Sequence, residues 1–512
     1  LVENVALTPL GGFSLGAALP PISVLLPALV IVTALYGSLR RSNLKPWHAA
    51  AVGLALAALG TWALVMFRYP TAFYLRPLAV VMLLGLAMAL LADWSSSWLF
   101  AKLDIPLVNW LRHALVLTFL VGFWLKAGGL VFPYMQGHDI EWHMNWVRRL
   151  LSGEVPFGLL FGTGSPLNEG TMPVDEWGAN RPVIPYSPFF QFFAVGFAIF
   201  PWKLETTSDV LSVLLDGSRI FLIALIARKS GLSNRATLLA ALLYAATPAT
   251  FVLLVWGNAP TTMGLWLTLV ATTTIIVLWE RLRQPGPFVL LAAVSLLCML
   301  FYTVTAAFHL FFVLLFALMA WLLRSRFDAR PALPMLLATL LGFGVSVLIY
   351  YGQYILPVLT ITLPYLGTIF SRGSEAVGVE RPDFAAYMLN YLPHVGYWLW
   401  PGRYLYYGLA LPLLAVIPGF VLLRDRQPLW AAMAAWFSVA LLFMLVGYRL
   451  SMVDKQLFYI LPPICLCTAV VAERIWARGR WAQALIVMIY VLTFASAVGL
   501  WLIRIARSSF GL

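Results

Sequence analysis

Apolar residues in this chain come in long, uninterrupted blocks. The stretch 236–278 contains no Asp, Glu, Lys or Arg, and neither does 284–323. A helix crossing a bilayer needs roughly 20 apolar residues, so each stretch predicts two spanning helices joined by a tight turn. Read this way, spanning helices fall near 23–39, 47–66, 77–98, 110–132, 210–228, 236–256, 261–279, 287–303, 304–323, 333–356, 404–423, 428–447, 456–473 and 481–502. The apolar segment 188–202 is short and bracketed by Pro182, Pro185, Pro188 and Pro201. It reads as re-entrant or interfacial, because a full crossing there would reverse every later helix. Two long connectors remain, 133–187 and 357–403, rich in Trp, Tyr, Pro and Gly rather than Ser and Lys. Loops of that length are usually functional when they are not linkers, and both are expected to form compact, partly helical caps.

Composition agrees with the pattern. The 512 residues are 62% hydrophobic and 10% charged, against about 25% charged in a soluble domain. The fold class is therefore an all-α polytopic membrane protein with about 13–15 transmembrane helices. Cys298, Cys465 and Cys467 lie in apolar segments and form neither a disulfide framework nor a metal knuckle. The net charge of +13 sits in short connectors, where it sets topology and offers no surface to a nucleic acid.

The connectors divide sharply between the two faces. Arg40, Arg41, Lys45, Lys102, Arg228, Lys229, Arg235, Arg281, Arg283, Arg324, Arg326, Arg330, Arg424, Arg426, Arg474, Arg478 and Arg480 fall on one, 17 in all; the short connectors of the other hold Arg68, Arg76, Arg449 and Lys455. The positive-inside rule makes the first face cytoplasmic. The expected location is the plasma (inner) membrane, with both long loops on the extracytoplasmic side.

Candidate chemistry concentrates in the first long loop, which opens Gly137-His138-Asp139-Ile140-Glu141-Trp142-His143-Met144-Asn145-Trp146. Trp142, Trp146 and Leu150 recur at spacing four, which predicts an interfacial helix. Asp139 and His143 share a helix face. Asp139 suits a general base, with His143 or Glu141 orienting it or joining it on a divalent cation such as Mg or Mn. The residue types equally allow Asp139 to cap the helix and Glu141 to complement its dipole.

A second constellation is the late turn Gly447-Tyr448-Arg449-Leu450-Ser451-Met452-Val453-Asp454-Lys455. Arg449 and Lys455 are cations placed at headgroup depth, fit to bind a lipid phosphate or to snorkel towards lipid. Arg181, ahead of the prolines, and Asn258, in the turn Trp256-Gly257-Asn258-Ala259-Pro260, are further candidate substrate contacts, although turn chemistry alone explains Gly, Asn and Pro there. His309 lies within an apolar helix and reads as a helix-to-helix hydrogen bond, and Asp216 with Arg219 as an internal ion pair.

The order of these features resembles the GT-C superfamily of membrane glycosyltransferases, which includes protein mannosyltransferases, aminoarabinose transferases and oligosaccharyltransferases. An early helix leads into a large outer loop that opens on Asp139, followed by an amphipathic segment, the turn Gly153-Glu154-Val155-Pro156 and the re-entry Tyr186-Ser187-Pro188-Phe189-Phe190. The resemblance spans roughly residues 108–473 and implies a GT-C-like helical bundle. It implies Asp139 as the base that activates the acceptor, Glu141 as its partner on any metal, and a polyprenyl-phosphate-linked sugar as donor. The acceptor, whether protein, glycan or lipid, is not named by the residues. Three helices over 1–107 are an added N-terminal module; 108–356 is the core, 357–403 the second loop, and 404–512 the C-terminal helices. A flippase or transporter, and a non-catalytic subunit of a larger complex, are the competing readings. A transporter would place its ionisable groups near the midplane, whereas the polar mass here lies in the loops.

Overall fold

The structure, a computed structural model, describes residues 22–41, 45–55, 71–130, 137–171, 181–372, 385, 408–450 and 454–510. Two compact units divide the chain at residue 88. In the first, α1 (Ile22–Arg41) and α2 (46–55) meet at Gly53, where a Cβ would lie 3.7 Å from Leu39. They bury Ile31, Ala34 and Ala49. The boundary between the units falls within α3 (Thr71–Lys102).

The second unit contains α4 (Asn109–Leu130), α5 (His138–Leu151), α6 (Phe157–Phe161), α7 (Pro166–Thr171), α8 (Phe189–Ala194), α9 (Leu204–Lys229), α10 (Asn234–Ala246), α11 (Pro248–Val255), α12 (Ala259–Val277), α13 (Pro285–Phe301), α14 (Thr303–Leu322), α15 (Ala332–Ile349), α16 (355–372), α17 (Ala410–Leu422), α18 (Leu429–Leu450), α19 (Asp454–Trp476) and α20 (Arg480–Phe510). Among the described residues nine helices are long and apolar enough to cross a bilayer, ten if α10 and α11 count as one. This is an all-α, multi-pass membrane protein, and each span expected from the sequence is mostly helical where it is described.

The expected helix 236–256 is broken, bending by 41° between α10 and α11. Pro248 causes the break, since it has no N–H and its ring would strike the preceding turn of a continuous helix. Its ring rests on Gly408, where a Cβ would come within 2.6 Å. The expected helix 333–356 also ends early, at Tyr350, and a 3₁₀ turn over Tyr351–Tyr354 leads into α16. The hydroxyl of Thr362, midway along α16, donates to the Val183 carbonyl at 2.7 Å and accepts from the Val183 N–H at 3.0 Å. The second long loop thus opens as a helix strapped to the first. The segment 188–202 forms only α8 and a 3₁₀ stretch, Val195–Ile199. These span roughly 19 Å, short of the ~30 Å hydrocarbon core, and they pack through Phe190, Ala194 and Phe197 on Ile140, Met144 and Val147 of α5.

The basic connectors of this unit touch one another at one end of the bundle. Arg281 pairs with Asp104 at 3.2 Å, and Arg228 donates to the Pro106 carbonyl at 3.3 Å. The Trp279 indole donates to the Asp328 carbonyl at 3.0 Å. Ser233 bonds to Glu473, and Arg235 lies over the Trp476 ring at 5.5 Å. The described parts of the loops lie at the opposite ends of these same helices, and α12 alone separates the two ends by about 28 Å.

Between the ends lies a buried charge network. Lys126 of α4 reaches Asp216 of α9 at 2.6 Å and Thr250 of α11 at 2.9 Å. Tyr244 of α10 donates to Asp216 at 2.7 Å and accepts from Arg219 at 2.7 Å. The Asp216–Arg219 pair is present at 3.7 Å, but Lys126 makes the shorter contact. His309 meets Ser295 at 2.9 Å, joining α14 to α13 as the sequence suggested.

Candidate active site

The site is built on a contact between two glycines. Gly137 precedes α5 with extended backbone and no side-chain cap. A Cβ on it would lie 2.6 Å from the Gly257 backbone. Gly257 has φ +67°, a left-handed conformation that glycine adopts freely, and a Cβ there would lie 2.9 Å from Ile140. Two chain segments therefore approach backbone to backbone, and the Asp139 N–H donates to the Trp256 carbonyl at 3.0 Å.

This approach puts Asp139 beside the turn between α11 and α12. Asn258 donates its amide to Asp139 Oδ2 at 2.8 Å while its own Oδ1 caps α12 by accepting from Thr261 N–H at 3.0 Å. The half-buried Asp139 carboxylate reaches across to another element, and its own helix has no side-chain cap at Gly137.

One turn along, His143 is 2% exposed. Its Nε2 lies 3.5 Å from the Tyr186 hydroxyl and its Nδ1 3.3 Å from the Gln191 amide. Tyr186 packs edge-on against Tyr302 at 6.1 Å. Tyr302 stands in the break between α13 and α14 with extended backbone. Lys455, at the start of α19, donates to the Tyr302 hydroxyl and lies over its ring at 5.1 Å. Asp139, Asn258, His143, Tyr186, Tyr302 and Lys455 form one cluster drawn from the loop, two inter-helix turns and a late helix.

Its electrostatics follow from burial. Desolvation first, and then the Lys455 charge, pull the His143 pKa from 6.5 down to about 3, so the ring is neutral at physiological pH. Burial, then Tyr302 and Asp139, hold the Tyr186 phenol well above its ordinary value, so it keeps its proton and donates.

The loop is braced around this cluster. Asn168 accepts from Tyr186 N–H at 2.7 Å and donates to the Tyr354 hydroxyl at 3.0 Å. Tyr350 donates to the Tyr186 carbonyl at 2.8 Å, and Thr303 to the Pro185 carbonyl at 2.7 Å. The Trp142–Trp146–Leu150 stripe, expected to face the membrane interface, packs instead on Val155, Leu160 and Leu167. The folded loop supplies apolar cover closer than lipid.

Glu141 is exposed, because two residues along a helix turn the side chain by about 200° from Asp139. The described residues contain no group of three or more His, Cys, Asp or Glu able to hold a metal ion. Arg181 is half-buried at the start of the strapped segment. Arg449 is the penultimate residue of α18, and its side chain lies outside the described residues.

Neither a protein-family model nor a curated protein matches this sequence. Among solved structures, it is similar to an oligosaccharyltransferase of Archaeoglobus fulgidus in complex with zinc and sulfate, with 13% identity and TM-score 0.48, over 75% of this chain and 53% of that one. The apo form matches at 14% identity and TM-score 0.46, over 78% of this chain and 56% of that one. The archaeal oligosaccharyltransferase AglB from Archaeoglobus fulgidus, in complex with an inhibitory peptide and a dolichol-phosphate, matches at 14% and 0.49, over 80% and 56%. The chain spans about half the length of these proteins.

Sequence reasoning missed Tyr302, Gln191 and the Gly137–Gly257 contact. Tyr302-Thr303 is a polar pair inside a charge-free block, and that interruption was the available signal for Tyr302. The glycine contact joins residues far apart in sequence and leaves no local trace.

Proposed function

We propose that this chain is a membrane glycosyltransferase that transfers a sugar from a polyprenyl-phosphate carrier to an acceptor hydroxyl at the loop face. The observation that carries the reading is the meeting of a carboxylate, Asp139, and an ammonium, Lys455, around the Tyr186–Tyr302 pair. Glycosyl transfer from a lipid phosphate needs those two groups at opposite ends of one reacting bond.

In this reading the acceptor oxygen attacks the anomeric carbon as the carbon–oxygen bond to the phosphate breaks. The acceptor proton passes to Asp139, and the polyprenyl phosphate leaves as an anion. Attack from the face opposite the leaving group inverts the anomeric centre. Asn258 fixes one oxygen of Asp139, which leaves Oδ1 to take the proton. A phosphate leaving group needs charge neutralisation more than protonation, and Lys455 supplies it through the N–H groups not used on Tyr302. Arg449, six residues earlier in the sequence, is proposed as a second cation for the phosphate. His143, neutral and buried, positions Tyr186 towards the substrate. No step runs through a metal ion.

Asp139→Asn keeps the shape and the bond from Asn258 but removes the base. With a radiolabelled polyprenyl-phosphate sugar, transfer is expected to fall by about 10²–10⁴-fold at an unchanged melting temperature. Lys455→Met is expected to cost roughly 10²-fold. Normal transfer by the Asn variant would overturn Asp139 as the base, and no transfer by the parent chain would overturn the proposal and leave the non-catalytic reading.

A further inference from the structure

Away from the loops, a groove of about 630 Å³ runs up the side of the bundle between α4 and α20, with α10 as its floor. Its walls are apolar: Leu117, Val121, Leu242, Ile486, Val491 and Phe494 line it. Small residues make the concavity. Gly122 lines it, and a Cβ built there meets nothing within 4 Å. At the far end it reaches Ala246 of α10 and Phe494 of α20.

The mouth is different. Arg235, exposed at the start of α10, stands there over Trp476, and Trp110 faces it from α4. Among the described residues, no Asp or Glu lines the groove. Arg235 belongs to the end of the bundle where the basic connectors touch. From Arg235 to Ala246, both lining residues, α10 rises about 16 Å, close to half the ~30 Å hydrocarbon core. The groove is thus one leaflet deep, apolar along its length and cationic at its headgroup end.

We infer that it binds an anionic phospholipid of the leaflet at the basic-connector end, with one acyl chain in the groove and the phosphate on Arg235. The acyl chain fills apolar volume that no described side chain fills. The guanidinium meets a phosphate oxygen by a charge-assisted, planar hydrogen bond, and the Trp110 and Trp476 rings sit at interfacial depth, as tryptophans do. This site lies at the opposite end of the bundle from Asp139 and does not depend on the proposed glycosyl transfer.

Native mass spectrometry of the purified full chain with added phosphatidylglycerol or phosphatidylcholine tests it. Gly122→Leu puts a side chain into the open space and is expected to lower lipid retention about tenfold, as when roughly two methylenes lose apolar contact. Val491→Trp, on the exposed rim, is expected to do the same. Both variants should melt like the parent in lipid-free detergent. Arg235→Gln is expected to keep chain binding but reduce the preference for the anionic lipid about fivefold. A photo-crosslinker at Val487 should label lipid. Unchanged retention in both filling variants would overturn the inference, as would crosslinks to a second copy or to another part of the same chain.

Discussion

His143 and Asp139 lie four residues apart on one helix face, yet the structure gives them different surroundings. Asp139 faces Asn258 across a glycine contact, and His143 is enclosed by Tyr186, Gln191 and Phe190. That enclosure has a measurable consequence. An unfolded histidine titrates near 6.5, whereas folded His143 titrates at about 3. Between those values the unfolded chain binds a proton that the folded chain does not, so this group lowers stability as pH falls through that window. From pH 6.5 to 4.5 its share is about 2–3 kcal/mol. The melting temperature of the parent is therefore expected to fall further over that range than that of His143→Gln, with the gap widening towards acid. Parallel curves would show that His143 is not buried as described.

At the level of elements, the bundle is tied across its interior by charge. α4, α9, α10 and α11 converge on Asp216, a carboxylate with 0% exposure that receives Lys126 and Tyr244 directly and Arg219 at longer range. Removing one partner of a buried pair typically costs about 3–5 kcal/mol, since it leaves an uncompensated charge. The two sides of this network are not equivalent. Lys126→Met still leaves Asp216 with Arg219, whereas Asp216→Asn leaves two cations facing each other without an anion. Asp216→Asn is expected to be the more damaging by roughly 2 kcal/mol, read as thermal unfolding in detergent. Equal losses would mean that Arg219 does not share the carboxylate. Sequence reasoning found Asp216 and Arg219 because they lie one helical turn apart. It missed Lys126, which comes from another helix.

For the whole molecule, sidedness is a proposal that follows from the positive-inside argument: the basic connectors of the second unit touch one another at one end, and that end is expected to be cytoplasmic. In a background lacking Cys298, Cys465 and Cys467, a cysteine at Ser230 is expected to react with membrane-impermeant reagent only from the cytoplasmic side. A cysteine at Gly153 should react only from the opposite side. Labelling of both from one side would refute the orientation. The same arrangement places the proposed chemistry and the proposed lipid groove at opposite ends of one bundle, which makes them separable by mutation.

What the sequence determined by itself was set by the bilayer. Only helices and closed barrels satisfy their backbone polar groups in hydrocarbon, and charge-free blocks of about 20 residues or more fit helices rather than the roughly 10-residue strands of a barrel, so the blocks had to become helices and the charges between them had to mark the faces. It also singled out Asp139, Asn258, His143 and Lys455 as polar residues beside the membrane. Only the tertiary structure decided that these four meet. Their meeting depends on a glycine-to-glycine contact, on the Pro248 break that precedes the Asn258 turn, and on Tyr302 filling the gap between α13 and α14. The fate of the Trp142 stripe was settled the same way, because periodicity gives the direction of an apolar face but not what covers it. Local pattern records the solvent a segment must meet; long-range packing is a property of pairs of segments, and no single segment carries it.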